Sequence, residues 1–494
     1  MSFSERICQN GLTAEVMTAM EYSSRRARAV AFLMSRIDYE KAISISYSKQ
    51  EFRLDCMREL LEQLGNPQAQ LKIVHVAGTK GKGSTSAMIA AALSAAGYRC
   101  GLYTSPHLDR LEERIMVDGR ACSEAEFVAL VEKVRPIVEQ LDAKGRLQNP
   151  VEPGPTYFET TTAMAFVHFA AIRTDAAVVE VGLGGRLDST NVCQPLISVI
   201  TSISFDHTEL LGTTLAEIAR EKAGIIKPNV TVVSGVIEEE PSRVISEIAH
   251  QNQCQLIQLG IDFSYEYHPP RELDRLEAQA HGTIDYENRS NGCMCHMQGV
   301  ELGLIGRHQA INASVALTVL KELSHRGWIL QESVMRRGLA NLEWPGRVEI
   351  VARRPTVVLD AAHNVVSVQC LLNTLDESFE APRRLLIFAA TQGKDVRGML
   401  QLLLPHFEAV ILTQYWKNPR AVRVKELNEL VAELSEIPRF VCDDPATAWH
   451  RARELATPDH LVCVTGSFFL TAEMRVEILR RLVDRVKEPV VQKT

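Results

Sequence analysis

At 494 residues, with 46% hydrophobic and 23% charged side chains, the chain has the composition of a folded protein of two or three domains, which excludes disordered and collagen-like classes. Its 54 basic residues against 61 acidic ones, a net charge of −7, exclude a general electrostatic footprint for nucleic acid and leave room for a local basic pocket around an anionic substrate. Eleven thinly spread cysteines, a start (Met1-Ser-Phe-Ser) without an apolar export segment, and no run of 18 apolar residues point to a reducing cytoplasm and away from the membrane.

Residues 1–38 read as a charged helical extension carrying Arg25, Arg26 and Arg28, with Tyr39-Glu-Lys-Ala opening the first domain. Met34 is a candidate internal start, and a chain beginning there is expected to remain active. Over 51–64, Leu54, Met57, Leu60, Leu61 and Leu64 recur at spacings of three and four, which predicts an amphipathic helix. The pattern then changes. A short apolar run at 71–77, a glycine-rich turn at 78–84 and an alanine-rich stretch at 85–96 predict strand, loop and helix in succession. Further buried strands are expected at 99–103, 176–181, 196–203 and 231–236, with helices such as 123–141 and 160–171 between them. Residues 262–300, rich in Tyr, His, Arg, Asn and Gly, read as irregular or hairpin structure. A second alternating block starts near Glu343-Trp-Pro-Gly-Arg347, with strands at 356–359, 385–389, 409–413 and 461–465. This alternation predicts an α/β fold: a P-loop domain with a mainly parallel sheet over 39–342, then a smaller C-terminal Rossmann-like α/β domain over 343–494, the boundary falling at Pro345-Gly346.

The chemistry starts at Gly78-Thr79-Lys80-Gly81-Lys82-Gly83-Ser84-Thr85. A glycine-rich loop leaving a strand and entering a helix lets backbone N–H groups curl around a phosphate, while the helix N-terminus favours its charge. Lys82 would neutralise the β and γ phosphates, and Ser84 and Thr85 offer hydroxyls to phosphate or magnesium. Gly83 between Lys82 and Ser84 departs from the strict P-loop spacing. Three other strands carry polar residues at their carboxyl ends, where open α/β sheets bind ligands: Ser105 after 99–103, Glu180 in 176–181, and Asp206-His207 after 196–203. A hydroxyl, a carboxylate and an imidazole beside a phosphate loop can hold magnesium in octahedral geometry. Cys293-Met-Cys295-His296 offers too few ligands for zinc. Trp416, Phe468 and Phe469 read as packing residues.

Taken together, Gly78-Thr-Lys-Gly-Lys-Gly-Ser84, Thr104-Ser-Pro-His-Leu108 with Glu113-Arg114, Tyr157-Phe-Glu159, Glu180-Val-Gly-Leu-Gly-Gly-Arg-Leu-Asp188, Asp206-His207, Lys222-Ala-Gly-Ile-Ile-Lys227, Gly306-Arg-His-Gln309, Asn312, Pro345-Gly-Arg347 and Asp360-Ala-Ala-His363-Asn364 resemble the folylpolyglutamate synthase and dihydrofolate synthase family within the Mur ligases. The resemblance runs in family order from about residue 39 to the C-terminus. It implies an ATP-dependent amide ligase that joins L-glutamate to folate, and to dihydropteroate, through an acyl phosphate. It also implies magnesium at two sites, with Ser105, Glu180 and His207 as ligands. Lys222 matches a position that family members carry as a carbamylated, metal-binding lysine. Nucleotide contacts fall on Asn312, Arg347 and Asp360, beside Gly78 to Thr85, and His363 faces the nucleotide and amino-acid site. The pterin region falls on Thr156, Tyr157, Phe158 and Glu159 and on Leu187, Asp188 and Ser189. The turn here reads Asp360-Ala-Ala-His363-Asn364-Val365, where the family has Asp-Gly-Ala-His-Asn-Pro, and Lys80 stands where Asn is frequent. Two alternatives remain: a Mur-type ligase with another acceptor, and a P-loop NTPase that does not ligate. The first normally carries a further N-terminal domain, for which the stretch ahead of Tyr39 is too short; the second gives Arg347, Asp360 and His363 no reason to be present. The expected partners are small molecules alone, with neither nucleic acid nor membrane, for a cytoplasmic monomer.

Overall fold

The computed structural model describes residues 14–38, 54–148, 154–277, 281–292 and 294–487. The expected domain opening at Tyr39, the first three residues of the 51–64 helix and Cys293 lie outside the described residues.

Eight strands form the first sheet: β1 (Ile73–Ala77), β2 (Cys100–Tyr103), β3 (Ile115–Val117), β4 (Arg120–Ala121), β5 (Ala176–Glu180), β6 (Pro195–Ile200), β7 (Thr231–Ser234) and β8 (Leu256–Gln258), in the order β4-β3-β2-β5-β1-β6-β7-β8. All pairings are parallel except β2 with β3 and β3 with β4. β1 sits between β5 and β6, and all five of its residues are buried, as expected of a strand covered on both faces. Val74 and Val76 pack towards the helices Lys82–Ala95 and Arg307–His325, while Ile73 joins Met57, Phe127 and Phe166 on the opposite face. The alternation along one strand thus builds two cores.

Residues 262–300 resolve into a second, antiparallel sheet of β9 (Phe263–His268), β10 (Gly282–Asn288) and β11 (Cys295–Leu302), in the order β11-β10-β9. Along β10 burial alternates residue by residue, the signature of a sheet with one covered face, which the mixed composition of this stretch obscures.

The C-terminal sheet contains β12 (Glu349–Ala352), β13 (Thr356–Leu359), β14 (Arg383–Phe388), β15 (Ala409–Leu412), β16 (Arg439–Val441) and β17 (His460–Thr465), ordered β12-β13-β17-β14-β15-β16 and parallel apart from β12. Its two faces are covered by separate apolar clusters, one including Leu371 and Leu400, the other Trp449 and Met474.

The helix Ala14–Met34 is part of the first domain's core. Ala29, Phe32 and Leu33 are buried among residues of the helix Glu124–Gln148, Arg26 Nε donates to Glu112 at 2.8 Å, and Arg36 meets Asp142 at 2.6 Å. A chain starting at Met34, expected above to stay active, would lack the buried Ala29, Phe32 and Leu33 and the Arg26 that pairs with the buried carboxylate of Glu112. Among the described residues no helix is long and apolar enough to cross a membrane.

Candidate active site

The loop after β1 turns straight into the helix Lys82–Ala95. Gly78 and Gly81 adopt φ of +152° and +81°, backbone that side chains resist, and a Cβ at Gly81 would run into the Asn312 side chain. Glycine there lets the helix Arg307–His325 press Asn312 against the loop. The β6 end pins the other wall: the Thr79 N–H donates to Ser202 O at 2.7 Å, the Lys80 N–H to Ser202 Oγ at 3.0 Å, and Thr201 Oγ1 to Lys80 O at 2.6 Å. The first-turn N–H groups have no intrahelical acceptor and no side-chain cap, and Lys82 stands at the first helical position. Thr85 Oγ1 is buried without a hydrogen-bond partner, an orphan that a phosphate oxygen or its bound cation would satisfy.

Glu180 ends β5 immediately beside this helix; a Cβ on Gly83 would lie 3.4 Å from Glu180 Oε2. Glu180 accepts the Ser105 N–H at 3.1 Å, and no lysine or arginine among the described residues forms an ion pair with it. Burial pushes its carboxyl upward against the pull of Lys82. A nearly buried carboxylate next to a hydroxyl and short of a counter-charge suits a hard divalent cation. His207 follows β6 with a left-handed φ of +51°. Although its side chain is 47% exposed, partial desolvation among its neighbours, together with Lys394, Lys80 and Lys222, outweighs Asp206 and pushes its imidazole down to about 4, which favours the neutral ring with a ligating lone pair. Lys222 is buried under the loop, donating to Gly78 O at 2.9 Å, and burial with the nearby Lys82 pushes its ammonium down to about 7.

The C-terminal domain meets this cluster directly. Lys80 Nζ donates to Asp206 Oδ2 at 2.9 Å and lies 3.1 Å from His363 Nε2, while Lys394 Nζ donates to Asp206 Oδ1 at 2.8 Å. His363 Nδ1 faces the Ala361 carbonyl at 2.9 Å, an acceptor only, so the ring proton is on Nδ1 and Nε2 accepts from Lys80. The Lys80 charge and burial hold that imidazole well below its usual range. Asp360 accepts the Val348 N–H at 2.9 Å and the Ala362 N–H at 2.8 Å, so its carboxylate shapes the turn that carries His363. Arg347 stacks its guanidinium 5.8 Å from the Phe468 ring centre.

The residues matched to pterin lie on the other side of β5. Thr156 caps the helix Tyr157–Ala171, with its N–H donating to Glu159 Oε2 at 2.9 Å and the Glu159 N–H returning to Thr156 Oγ1 at 3.2 Å. Tyr157 is buried beneath Arg114, whose guanidinium lies 5.1 Å from the ring centre, and Phe158 covers Gly182 closely enough to exclude a Cβ there. Leu187 is partly exposed, whereas Asp188 and Ser189 are buried. Asp188 accepts the Leu183 N–H at 2.9 Å and the Thr190 N–H at 3.0 Å; burial raises its carboxyl and these donors oppose that.

Two groups escaped the sequence reading. Lys394, after β14, carries a signal in Gln392-Gly-Lys-Asp395, a glycine and a cation at a strand's carboxyl end. Val348 holds a φ of +48°, costly for a β-branched residue, beside Arg347, and nothing in its sequence announces it. Trp416 does not pack as expected: the residue is 64% exposed, in a loop whose Trp416 and Lys417 backbone N–H groups donate to Glu473.

Comparison with known proteins places this geometry. The Mur ligase middle domain matches residues 76–320, and the Mur ligase, glutamate ligase domain matches 346–468. The chain is 34% identical over 424 residues to the dihydrofolate synthase/folylpolyglutamate synthase of Bacillus subtilis, covering 85% of this chain and 93% of that protein. The chain belongs to the folylpolyglutamate synthase/dihydrofolate synthase family of Mur ligases. It is likewise 34% identical to the folylpolyglutamate synthase of Lacticaseibacillus casei over 85% of this chain and 93% of that one. A Mycobacterium tuberculosis folylpolyglutamate synthase solved with ADP superposes with a TM-score of 0.81 at 30% identity, covering 92% of this chain and 98% of that one. Escherichia coli FolC, solved with DHPP and ADP, superposes at 0.76 with 27% identity, covering 94% of this chain and 98% of that one. The α/β architecture with its second C-terminal α/β domain is that of these synthases, and the chain is an ATP-dependent ligase.

Proposed function

We propose that this ligase joins the amine of L-glutamate to the carboxylate of a pterin-linked acceptor, folate and dihydropteroate both being substrates, at the expense of ATP. The observation that carries the reading is the meeting of the two domains at Lys80, Asp206, Lys394 and His363, which puts the phosphate loop of one domain in contact with the turn of the other. A simple P-loop NTPase has no use for that second wall.

The acceptor carboxylate attacks the γ-phosphorus, ADP departs, and the acyl phosphate forms. The glutamate amine then attacks the acyl carbon, and phosphate leaves as the amine loses its proton. No protein nucleophile is needed, so the residues act by position and charge. Lys82 and the first-turn N–H groups of Lys82–Ala95 hold the β and γ phosphates. Ser105, Glu180 and His207 would hold magnesium, which when bound screens phosphate charge. Asn312 and Arg347 border the nucleotide, and Asp360 fixes the turn that presents His363 towards the incoming amine. With its Nε2 lone pair held by Lys80, His363 is an acceptor that orients a donor and becomes a base only when Lys80 turns away. The two-domain wall excludes water from the acyl phosphate.

Lys222 supports a second cation site. Its Nζ, low enough in pKa to be substantially unprotonated near pH 7, would attack CO2 and release one proton, turning a buried cation into an anionic oxygen donor among Lys82 and Lys80. The test is phosphate release by the purified chain with MgATP and glutamate, offering dihydropteroate and tetrahydrofolate separately and weighing the products. Glutamylation of both is expected; release with neither, from protein that binds ATP, would overturn the acceptor assignment.

A further inference from the structure

His75 lies in the middle of β1, fully buried at the centre of the parallel sheet, on the face opposite Val74 and Val76. Its Nε2 is 2.8 Å from Thr190 Oγ1, in the turn that follows Asp188. The Thr190 hydroxyl donates to Asp188 Oδ1, and both Asp188 oxygens already accept backbone N–H groups, from Thr190 and Leu183. A hydroxyl has a single proton. Since it goes to Asp188, Thr190 Oγ1 can only accept from the imidazole, so the His75 proton sits on Nε2. Nδ1 is then a bare lone pair, and it is buried with no hydrogen-bond partner. An apolar side chain of the same volume would avoid that cost, so the imidazole contributes something through Nε2–H alone.

We propose that His75 is a positioning residue for acceptor recognition: through the chain His75 Nε2–H, Thr190 Oγ1–H, Asp188 Oδ1 it orients the Asp188 carboxylate and keeps it an acceptor, so that this corner takes a ligand edge that presents N–H donors. The inference rests on the reading that Asp188 meets the acceptor substrate. Donation into Thr190 Oγ1 polarises its O–H and strengthens the bond to Asp188, which counters the burial that would otherwise neutralise the carboxyl. Burial and the charge of Lys227, held 3.0 Å from Asn191 O in the same turn, push the imidazole down to about 3, so the ring remains a one-proton donor at every working pH.

Steady-state kinetics on four variants test this. Gln at 75 carries an amide N–H near the Nε2 position, whereas Met fills similar volume without a donor; Ser at 190 keeps the hydroxyl and Val removes it. His75→Met and Thr190→Val should each raise the KM for the acceptor about tenfold and leave the KM for ATP within about twofold. His75→Gln and Thr190→Ser should stay within about threefold of the parent, and the Met/Val double variant should be no worse than either single. Equal effects of His75→Met and His75→Gln, or additive effects in the double variant, would overturn the chain. Asp188→Asn separates the two layers: with an unchanged acceptor KM the substrate role of Asp188 falls and the inference with it, whereas a raised KM alongside a silent His75→Met removes the chain alone. Nitrogen-15 NMR of the unaltered protein gives a check independent of variant folding, with an Nε2–H tautomer expected at His75 and an Nδ1–H tautomer refuting the proposal.

Discussion

Lys394→Met probes the contact between the domains. The Lys394 and Asp206 side chains are 17% and 11% exposed and joined by a 2.8 Å hydrogen bond, so screening by solvent is small. A hydrogen bond between charged groups contributes about 1.5–3 kcal/mol. Asp206 is not orphaned by the change, because Lys80 stays at 2.9 Å, which places the loss near the middle of that range, about 2 kcal/mol. If the loss falls wholly on the bridged arrangement, its population drops about thirtyfold relative to arrangements in which the domains part. On the proposed reading glutamate binds between the two walls, and its KM should then rise by ten- to thirtyfold, while nucleotide binding to the first domain changes less. Asp206→Asn is harsher: it leaves Lys80 and Lys394 facing each other without their anion, a cost of about 3–5 kcal/mol by analogy with broken buried pairs, and turnover should fall by more than a hundredfold. Although burial pushes the Asp206 carboxyl upward, Lys80, His207 and Lys394 hold it well below the usual carboxylate range. A carboxylate so depressed stabilises the fold above its unfolded pKa of about 4 and loses that contribution only as pH falls below it, so Asp206 stays ionised between about pH 6 and 8; burial pushes the Lys80 ammonium down to about 8, so the Lys80 arm of the bridge should weaken as pH rises through that value. The assay is glutamate-dependent phosphate release at fixed ATP and acceptor. A Lys394→Met enzyme with a glutamate KM within twofold of the parent would refute the reasoning.

Gly81→Ala forces a side chain into left-handed backbone, at about 1–2 kcal/mol, and against Asn312; nucleotide affinity measured by calorimetry should fall more than tenfold. Lys222 titrates near 7 in the folded chain against the usual 10.5, so between those values the unfolded chain holds a proton that the folded chain lacks and stability rises with pH. In buffer free of CO2, Lys222→Met should therefore melt higher than the parent at pH 6, with the gap narrowing towards pH 10, and should be inactive throughout. In labelled bicarbonate, carbon-13 NMR should show a carbamate that grows as pH rises through about 7 and is absent from that variant. A chain starting at Met34 loses the buried Phe32 and Leu33, about 1.5–3 kcal/mol each, and should melt well below the parent in a thermal scan; an unchanged melt would show that the helix Ala14–Met34 is dispensable.

The sequence by itself determined the elements whose causes are local. Short β-branched runs gave β1, β13 and their parallel neighbours, and glycines followed by Lys82 and Ser84 marked the loop, because strand burial and phosphate geometry each require particular residues in one continuous segment. The ordered motifs from Gly78 to Asn364 likewise carried the family, since each one is short and close to its strand. What tertiary structure alone decided are relations between segments far apart in the chain: Lys394 meeting Asp206, Lys80 reaching His363, and Arg26 of an apparent extension neutralising Glu112. The antiparallel sheet of β9, β10 and β11 falls in the same class, its pairing fixed by what one face covers. His75 is the sharpest case, a lone histidine in an apolar strand whose purpose is invisible until Thr190 and Asp188 fold beside it. Local pattern fixes how a segment bonds to itself, whereas the partner of a buried polar group is chosen by the packing of the whole domain.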